Sequence, residues 1–310
     1  MRREFVAGGF VRMKVLVTGA TGYIGSHVVR ILKDRGYIVH GLDAHNVHDE
    51  LNADIMDVCD KFFEIDVLNT TELAACMTDK YDAVVHLAGL STVEKSMQIP
   101  YEYFSVNVTG TKNILDFVDS SHVIFAGSSS SFENASPYAV SKTAAEQVIR
   151  AQEKMGWTIF RFFNVSGSDG VHRQLGPATH LIRVIAEVAT AKRKQLQVYG
   201  NDYGTRDGTC IRDYIHVVDL AEAIVTAAEQ GPLNTEYEEL GSCQGWTVLE
   251  VIKSFEEATS IKIEYDIAER RPGDAVACKV QVPSERLSLK RTIHDMCLDQ
   301  YTLERGKNRW

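Results

Sequence analysis

The sequence predicts an α/β fold: a doubly wound parallel-sheet domain followed by a smaller C-terminal α/β lobe that binds substrate. Three observations predict it. Short apolar runs that read as strands alternate with stretches of helical spacing, the first run stops at a glycine-rich turn, and beyond residue 165 the alternation breaks down. Strands separated by helices need crossover connections, and these make a sheet parallel.

The elements follow in order. MKVLVT at 13–18 is a strand, and Ile24, Val28, Ile31 and Leu32 are spaced along one face of a helix. Tyr37 to Leu42 is a second strand, ending at Asp43; further strands fall at 83–87, 122–125 and 158–162, with helices at 104–118 and 137–154 between them. After 165 come a glycine-rich stretch, a helix at 180–192 and the strand QLQVYG. A helix at 216–229 and a strand at 237–241 return the chain to the first unit. The expected division is therefore 13–165 with a return segment at about 214–242, a substrate lobe of 166–213 and 243–310, and a tail of 1–12 before Met13. Repeats, low-complexity tracts and linkers are not evident.

Composition narrows the partners. The 310 residues, 45% hydrophobic, suffice for one two-lobed unit with a real core. A formal net charge of −9 without a basic run argues against a nucleic-acid partner. The cysteines at 59, 76, 210, 243, 278 and 297 form no CxxC pair and no cluster at zinc-ligand spacing, so no metal is expected, and free thiols in a reducing cytoplasm are the simplest reading. No stretch approaches the roughly 20 apolar residues of a membrane helix, and MRREFVAGGFVR lacks the pattern of a cleaved signal peptide.

The turn Gly19-Ala20-Thr21-Gly22-Tyr23-Ile24-Gly25 joins the first strand to the first helix. Glycines there let backbone N–H groups approach a pyrophosphate at the helix N-terminus. Asp43, 18 residues beyond Gly25, stands where a carboxylate accepts hydrogen bonds from a ribose and repels a 2′-phosphate, which favours NAD over NADP. Farther along, Tyr138 and Lys142 are four apart at the start of a helix, so both project from one face. A nearby ammonium favours a phenolate and brings a tyrosine toward general-base work at neutral pH. A hydroxyl to share the proton is offered by Ser128–Ser131 at the end of HVIFAGSSSSFE.

With glycines spaced GxxGxxG, VTGATGYIGSH resembles the extended short-chain dehydrogenase/reductase family, whose nucleotide-binding half is a Rossmann domain. The resemblance implies NAD contacts from Asn46, from Asp66 and Val67 in EIDV, from Leu87, Ala88 and Gly89 in HLAGL, and from Asn107 in NVTGT. It also selects Ser128, four residues before the aromatic Phe132. The segment from Gly200 to Val217, GNDYGTRDGTCIRDYIHV, with AGLSTVEKSMQIPYEYFSVNVTGT and RFFNVSG, is similar to UDP-hexose 4-epimerases over residues 13 to about 296. This likeness implies a UDP-sugar site of Asn164, Leu181, Gln197, Tyr199, Arg212, Arg271, Asp274 and Cys278, and a homodimer formed around helices 104–118 and 137–154. Arg212 and Arg271 have the donor forks to clamp a diphosphate, and Tyr199 has a flat face for uracil.

Some positions depart from that pattern. Ser91 stands where a lysine is usual and His180 where an asparagine is usual; the stretches before Tyr138 and after Asn164 are short. Cys278 is smaller than the tyrosine some relatives carry, leaving room for an N-acetyl group. A 4,6-dehydratase would carry Asp-Glu after its catalytic hydroxyl, whereas Ser129 and Ser130 follow here. With Glu133 nearby the dehydratase stays among the alternatives, beside a UDP-pentose or UDP-uronate epimerase and a non-catalytic NAD-binding regulator; intact Tyr138 and Lys142 count against the last.

Overall fold

Alternation along Lys14–Thr18 (β1) sends Val15 and Val17 to one face of a sheet and Leu16 to the other. The computed structural model describes residues 12–44, 52–133, 135–174, 176–271 and 274–306. With β1 in the main sheet are Ile38–Asp43 (β2), Lys61–Glu64 (β3), Ala83–His86 (β4), His122–Ser128 (β5), Gly156–Phe162 (β6) and Glu238–Leu240 (β7). Their order is β7-β6-β5-β4-β1-β2-β3, every pair parallel. Because β1 pairs with β2 on one side and β4 on the other, the winding reverses beside β1. A doubly wound sheet binds its ligand in the crevice that this reversal opens.

Helices cover both faces. Val28 and Leu32 of Tyr23–Asp34 (α1) pack on Val15, Val17 and Val39, joined by Leu220 and Ile224. The opposite face buries Leu16, Leu42, Phe63 and Val84 with Leu73 and Ile114. Under Pro137–Ala151 (α2), Ala145 and Ile149 meet Val123, Phe125 and Ile159. Pro137 stands in the first turn of α2, where its missing N–H costs nothing, and Ser136 caps the turn by accepting from Ala139 N at 3.2 Å.

A separate cluster forms the smaller C-terminal part: Ile182 and Ile185 of Leu181–Ala189 (α3), Leu196, Val198, Val251, Phe255, Ile293 and Met296. The helix Val217–Gln230 (α4) and β7 belong to the main sheet's cover and edge, while Val248–Thr259 (α5) and Ile293–Gly306 (α6) enclose the second cluster. Small sheets complete it: 196–199 with 265–268, and 211–212 between 246–247 and 277–278.

Three local differences from the sequence reading have physical causes. β3 was not expected, because KFFE is short and mostly exposed, yet it closes the sheet edge. Neither α5 nor α6 was placed; α5 carries both a capping box of Thr247 and Glu250 and apolar residues at helical spacing, Val248, Val251, Ile252 and Phe255, which the sequence reading overlooked, and α6 has little apolar periodicity. The helix expected at 104–118 is instead Pro100–Phe104, a π turn at Ser105–Thr109 and Gly110–Phe117. The π turn carries Asn107, whose side chain is held in two hydrogen bonds to the backbone of Leu90.

Residues 167–174 strap the second part to α1. Tyr23 donates its hydroxyl to Gly167 O at 2.6 Å, and the buried Asn52 amide donates to Thr21 O (2.9 Å) and Arg173 O (3.2 Å). The glycine turn is thereby tied to the chain that leads toward α3.

Candidate active site

Gly19 has φ +69°, and a Cβ there would lie 2.8 Å from Ala88 N; a Cβ on Gly22 would lie 3.1 Å from Gly19 O. Only glycine lets β1, the turn and the segment after β4 approach so closely. Gly22 is the N-cap of α1 without a side chain of its own, so the first-turn N–H groups of Tyr23, Ile24 and Gly25, which have no intrahelical acceptor, face outward at the positive end of the helix. That cradle fits a pyrophosphate.

Asp43 ends β2 beside the turn. Its Oδ2 accepts from Thr21 N (3.0 Å) and Thr21 Oγ1 (2.7 Å), and Oδ1 from Ala44 N (3.0 Å). Burial raises its pKa and these three bonds oppose the rise. Asn46 lies outside the described residues. Asp66 is exposed and accepts from Leu68 N at 2.8 Å, while Val67 is buried with its carbonyl bonded to Asn113 Nδ2 (2.9 Å). Both stand after β3, one strand beyond Asp43.

The segment Leu87–Ala88–Gly89 is fixed by a directional chain of hydrogen bonds. Thr111 Oγ1 donates to Asn107 O (2.6 Å), so it accepts from His86 Nε2–H (3.0 Å). His86 Nδ1 is then left to accept from Thr18 Oγ1 (2.7 Å), which itself accepts from Ala88 N (3.2 Å). Burial first, then the charge of Lys142, lowers the His86 pKa to about 3, which keeps the ring neutral as this pattern requires. Asn107 closes the other side, accepting from Leu90 N (2.8 Å) and donating to Ser141 Oγ (2.9 Å) on α2. A Cβ on Gly89 would lie 2.8 Å from Asn107 Oδ1 and 3.5 Å from Lys142 Nζ, so this glycine leaves an open shelf in front of the lysine.

Ser128, Tyr138 and Lys142 converge there, all buried. Of the four serines, Ser128 is the one that acts on the Tyr138 pKa, and its Oγ accepts from Ser130 N at 3.2 Å; Ser129 lies by Cys278, and the buried Ser131 Oγ has no partner among the described residues. Lys142 Nζ donates to Ala126 O at 2.9 Å and stands 4.9 Å from the Phe125 ring centroid. The sequence reading made Lys142 the group that brings Tyr138 down. In the structure burial raises the Tyr138 pKa, the Ser128 hydrogen bond opposes that rise, and Tyr103 adds to it. Lys142 is affected in turn: burial lowers it to about 8 against the upward pull of Glu146. Both groups are buried, and desolvation is the largest influence on each.

Beside this centre lies a cavity of about 470 Å³ whose wall includes Asn164, Leu181, Gln197, Tyr199, Arg212, Arg271 and Asp274. Asn164 donates to Asp213 O at 2.9 Å. Arg212 donates to Ile211 O and Ala275 O (both 2.8 Å) and reaches Asp274 Oδ1 at 3.3 Å. The Arg271 guanidinium stacks 3.9 Å from the Tyr199 ring centroid, which gives one flat cationic and aromatic wall. Cys278 is not part of the wall; it pairs with Arg212 between strands and touches the serine turn. The Thr92 end of the cavity faces the reaction centre, since Thr92 O accepts from Tyr103 (2.6 Å) and the Tyr103 and Tyr138 rings are 6.3 Å apart, edge to face.

Sequence reasoning passed over several residues here. Exposed Glu94 lines the cavity together with His180, which the sequence reading had already singled out. Glu94 sits in the quoted stretch STVEKS, but nothing in the linear pattern says that it points inward. Arg161 and Glu146 are buried against the catalytic helix and carry no motif of their own.

The family model for the NAD dependent epimerase/dehydratase family matches residues 15–238. The chain is 32% identical to the UDP-glucose 4-epimerase of Bacillus subtilis over 93% of its length and 96% of that protein, and 35% identical to that of Yersinia enterocolitica with the same coverage. A crystal structure of UDP-glucose 4-epimerase from Stenotrophomonas maltophila with bound NAD and formylated UDP-arabinopyranose is 30% identical, with TM-score 0.87 over 96% of this chain and 99% of that one. The chain therefore belongs to the NAD-dependent epimerase/dehydratase family. Its fold is that of the epimerase structures and its cofactor is NAD.

Proposed function

We propose that the protein inverts C4 of a UDP-hexose, interconverting UDP-galactose and UDP-glucose through a bound 4-keto sugar. The observation that carries this reading is the burial together of Ser128 at the end of β5, Tyr138, and Lys142 one helical turn on, with the Gly89 shelf in front of the lysine.

Gly19, Gly22 and Gly25 admit the NAD pyrophosphate, Asp43 faces the adenosine ribose, Asp66 and Val67 flank the adenine side, and Leu87, Ala88 and Gly89, fixed by Asn107, border the nicotinamide. When bound, NAD supplies a two-electron acceptor that takes and returns hydride at C4. Tyr138 accepts the C4 hydroxyl proton and later gives it back; Ser128 shares that proton, and its hydroxyl opposes the rise that burial imposes on the Tyr138 pKa. Lys142, mostly protonated at neutral pH with its pKa at about 8, stands one helical turn from Tyr138 as the cation that favours a phenolate. Arg212 and Arg271 hold the diphosphate, Tyr199 and Gln197 the uracil, and Asn164, Leu181 and Asp274 the remaining wall. Firm grip on UDP with a loosely held sugar lets the ketone turn and present its other face.

Among related readings, Glu94 favours a neutral sugar over a uronate, since its carboxylate faces the Tyr138 end of the cavity. Cys278 lies beside Ser129 and outside the cavity wall, so its small side chain does not by itself make room for an N-acetyl group. A homodimer is part of the proposal: exposed Tyr101, Phe104 and Val140 lie on the helices expected to pair.

The test is to incubate the purified protein with UDP-galactose, without added NAD, and to separate the nucleotide sugars. UDP-glucose is the expected product. Intact UDP-galactose with NAD present in the protein, or a 4-keto-6-deoxy product, would overturn the reading.

A further inference from the structure

Glu146 is a fully buried carboxylate that the chemistry above does not use. It lies one helical turn after Lys142 on α2 and is gripped by Arg161, with Nε to Oε1 at 3.0 Å and Nη2 to Oε2 at 2.7 Å; Arg150 adds a contact at 3.3 Å. Arg161 projects from β6 and is itself 8% exposed. Its guanidinium stands 4.7 Å from the ring centroid of Phe132 and 3.9 Å from that of Tyr237.

The pair touches each element that carries the proposed reaction. Phe132 ends the short turn Ser129–Phe132 that begins directly after Ser128. Glu146 shares α2 with Tyr138 and Lys142. Glu146 also presses on β5 just before Ser128: a Cβ on Gly127 would lie 2.9 Å from its Oε1. Arginine suits this place because one flat fork can make two parallel hydrogen bonds at its edge while its faces stack on rings; lysine can do neither.

We propose that Arg161 and Glu146 are a positioning pair for the reaction, an inference resting on the reading of Ser128, Tyr138 and Lys142 as its reacting group. Arg161 locks the serine turn to α2 and so sets where Ser128 stands relative to Tyr138, while Glu146 anchors that lock one helical turn from the Lys142 ammonium. Stability alone does not call for such a pair, because replacing both members of a buried ion pair is often neutral, whereas removing one leaves the other charge stranded.

That asymmetry supplies the experiment. Arg161→Met, Glu146→Gln, the double variant and Arg161→Lys are compared with the wild-type protein for Tm, retained NAD, and kcat and KM on UDP-galactose. Each single change should lower Tm. The double variant should recover Tm and NAD, yet its kcat should stay down by roughly ten- to a hundredfold with KM little changed, since small misplacements cost that much. Arg161→Lys should not rescue kcat. In Glu146→Gln the alkaline limb of the kcat profile should move to lower pH, because the carboxylate that holds the Lys142 proton is gone. Recovery of kcat together with Tm in the double variant would overturn the proposal, as would an unmoved alkaline limb in Glu146→Gln. Wild-type protein that holds NAD but does not convert UDP-galactose would overturn the proposed function instead. The pair is then tested by the tyrosinate absorbance lost in Tyr138→Phe: its midpoint should rise in the double variant as Ser128 is displaced and no longer opposes the effect of burial, and an unchanged midpoint contradicts the inference.

Discussion

A Cβ placed on Gly25 would stand 2.0 Å from the carbonyl oxygen of Gly19. The third glycine of the turn is therefore needed for α1 to lie against the end of β1, independently of any ligand. Gly25→Ala must push the helix N-terminus outward, and NAD released on denaturation should fall well below that of wild type, with a lower Tm. Full NAD content in a folded Gly25→Ala protein would show that the close approach is not needed for cofactor grip.

Asp43 bears on the choice of dinucleotide. Its carboxylate is already anchored by Thr21 and Ala44, so it cannot swing away from a 2′-phosphate without breaking those bonds. Protein stripped of cofactor should take up NAD and not NADP, and Asp43→Asn should narrow that difference. Equal uptake of both by wild type contradicts this assignment.

Burial of Lys142 has a stability signature whose sign is fixed. Its folded pKa of about 8 lies below an unfolded value of about 10.4. Between those values the unfolded chain holds a proton that the folded chain has lost, so this residue's contribution to stability rises with pH through that window. Below it, the buried charge is a cost. Lys142→Met should raise Tm at neutral pH, by a margin that shrinks from about pH 8 to about pH 10, and should reduce turnover sharply. Tyr138→Phe should cost kcat on the order of a hundred- to ten-thousandfold, the usual span for a lost proton-transfer group. Thermal melts across pH and initial rates check both.

Glu94 makes a prediction about substrate charge. It lines the cavity on the side that Thr92 and Tyr103 connect to Tyr138, and among the described residues no lysine or arginine forms an ion pair with it. UDP-galacturonate places a second carboxylate next to C4, where the two like charges repel. Wild type should epimerise UDP-galactose and leave UDP-galacturonate unchanged, and Glu94→Gln should gain activity on the uronate. Equal rates on both substrates with wild type would remove Glu94 from this role.

Much of this was legible in the sequence because local rules determine it. The glycine turn, Asp43 at a strand end and the Tyr138–Lys142 spacing depend on residues within one crossover or one helical turn, and a linear pattern carries such relationships directly. The main sheet followed from alternation of strand and helix for the same reason. What stayed hidden depends on distant partners. β3 exists because β2 offers an edge, and the π turn exists because Asn107 is held by Leu90. The downward shift of Lys142 reflects burial among side chains from several elements. The choice of Ser128 among four serines depends on how β5 and the turn after it are set against α2, which no linear spacing carries. Arg161 and Glu146 are 15 positions apart, and no local spacing links them.

The central claim is that C4 is oxidised and reduced within one active site, with Tyr138 handling only the hydroxyl proton. UDP-galactose labelled with deuterium at C4 tests it most directly, converted in ordinary water without added NAD and with the product read by mass spectrometry and NMR. The account predicts UDP-glucose that keeps its deuterium at C4. Epimerised product with the label lost to solvent would contradict it.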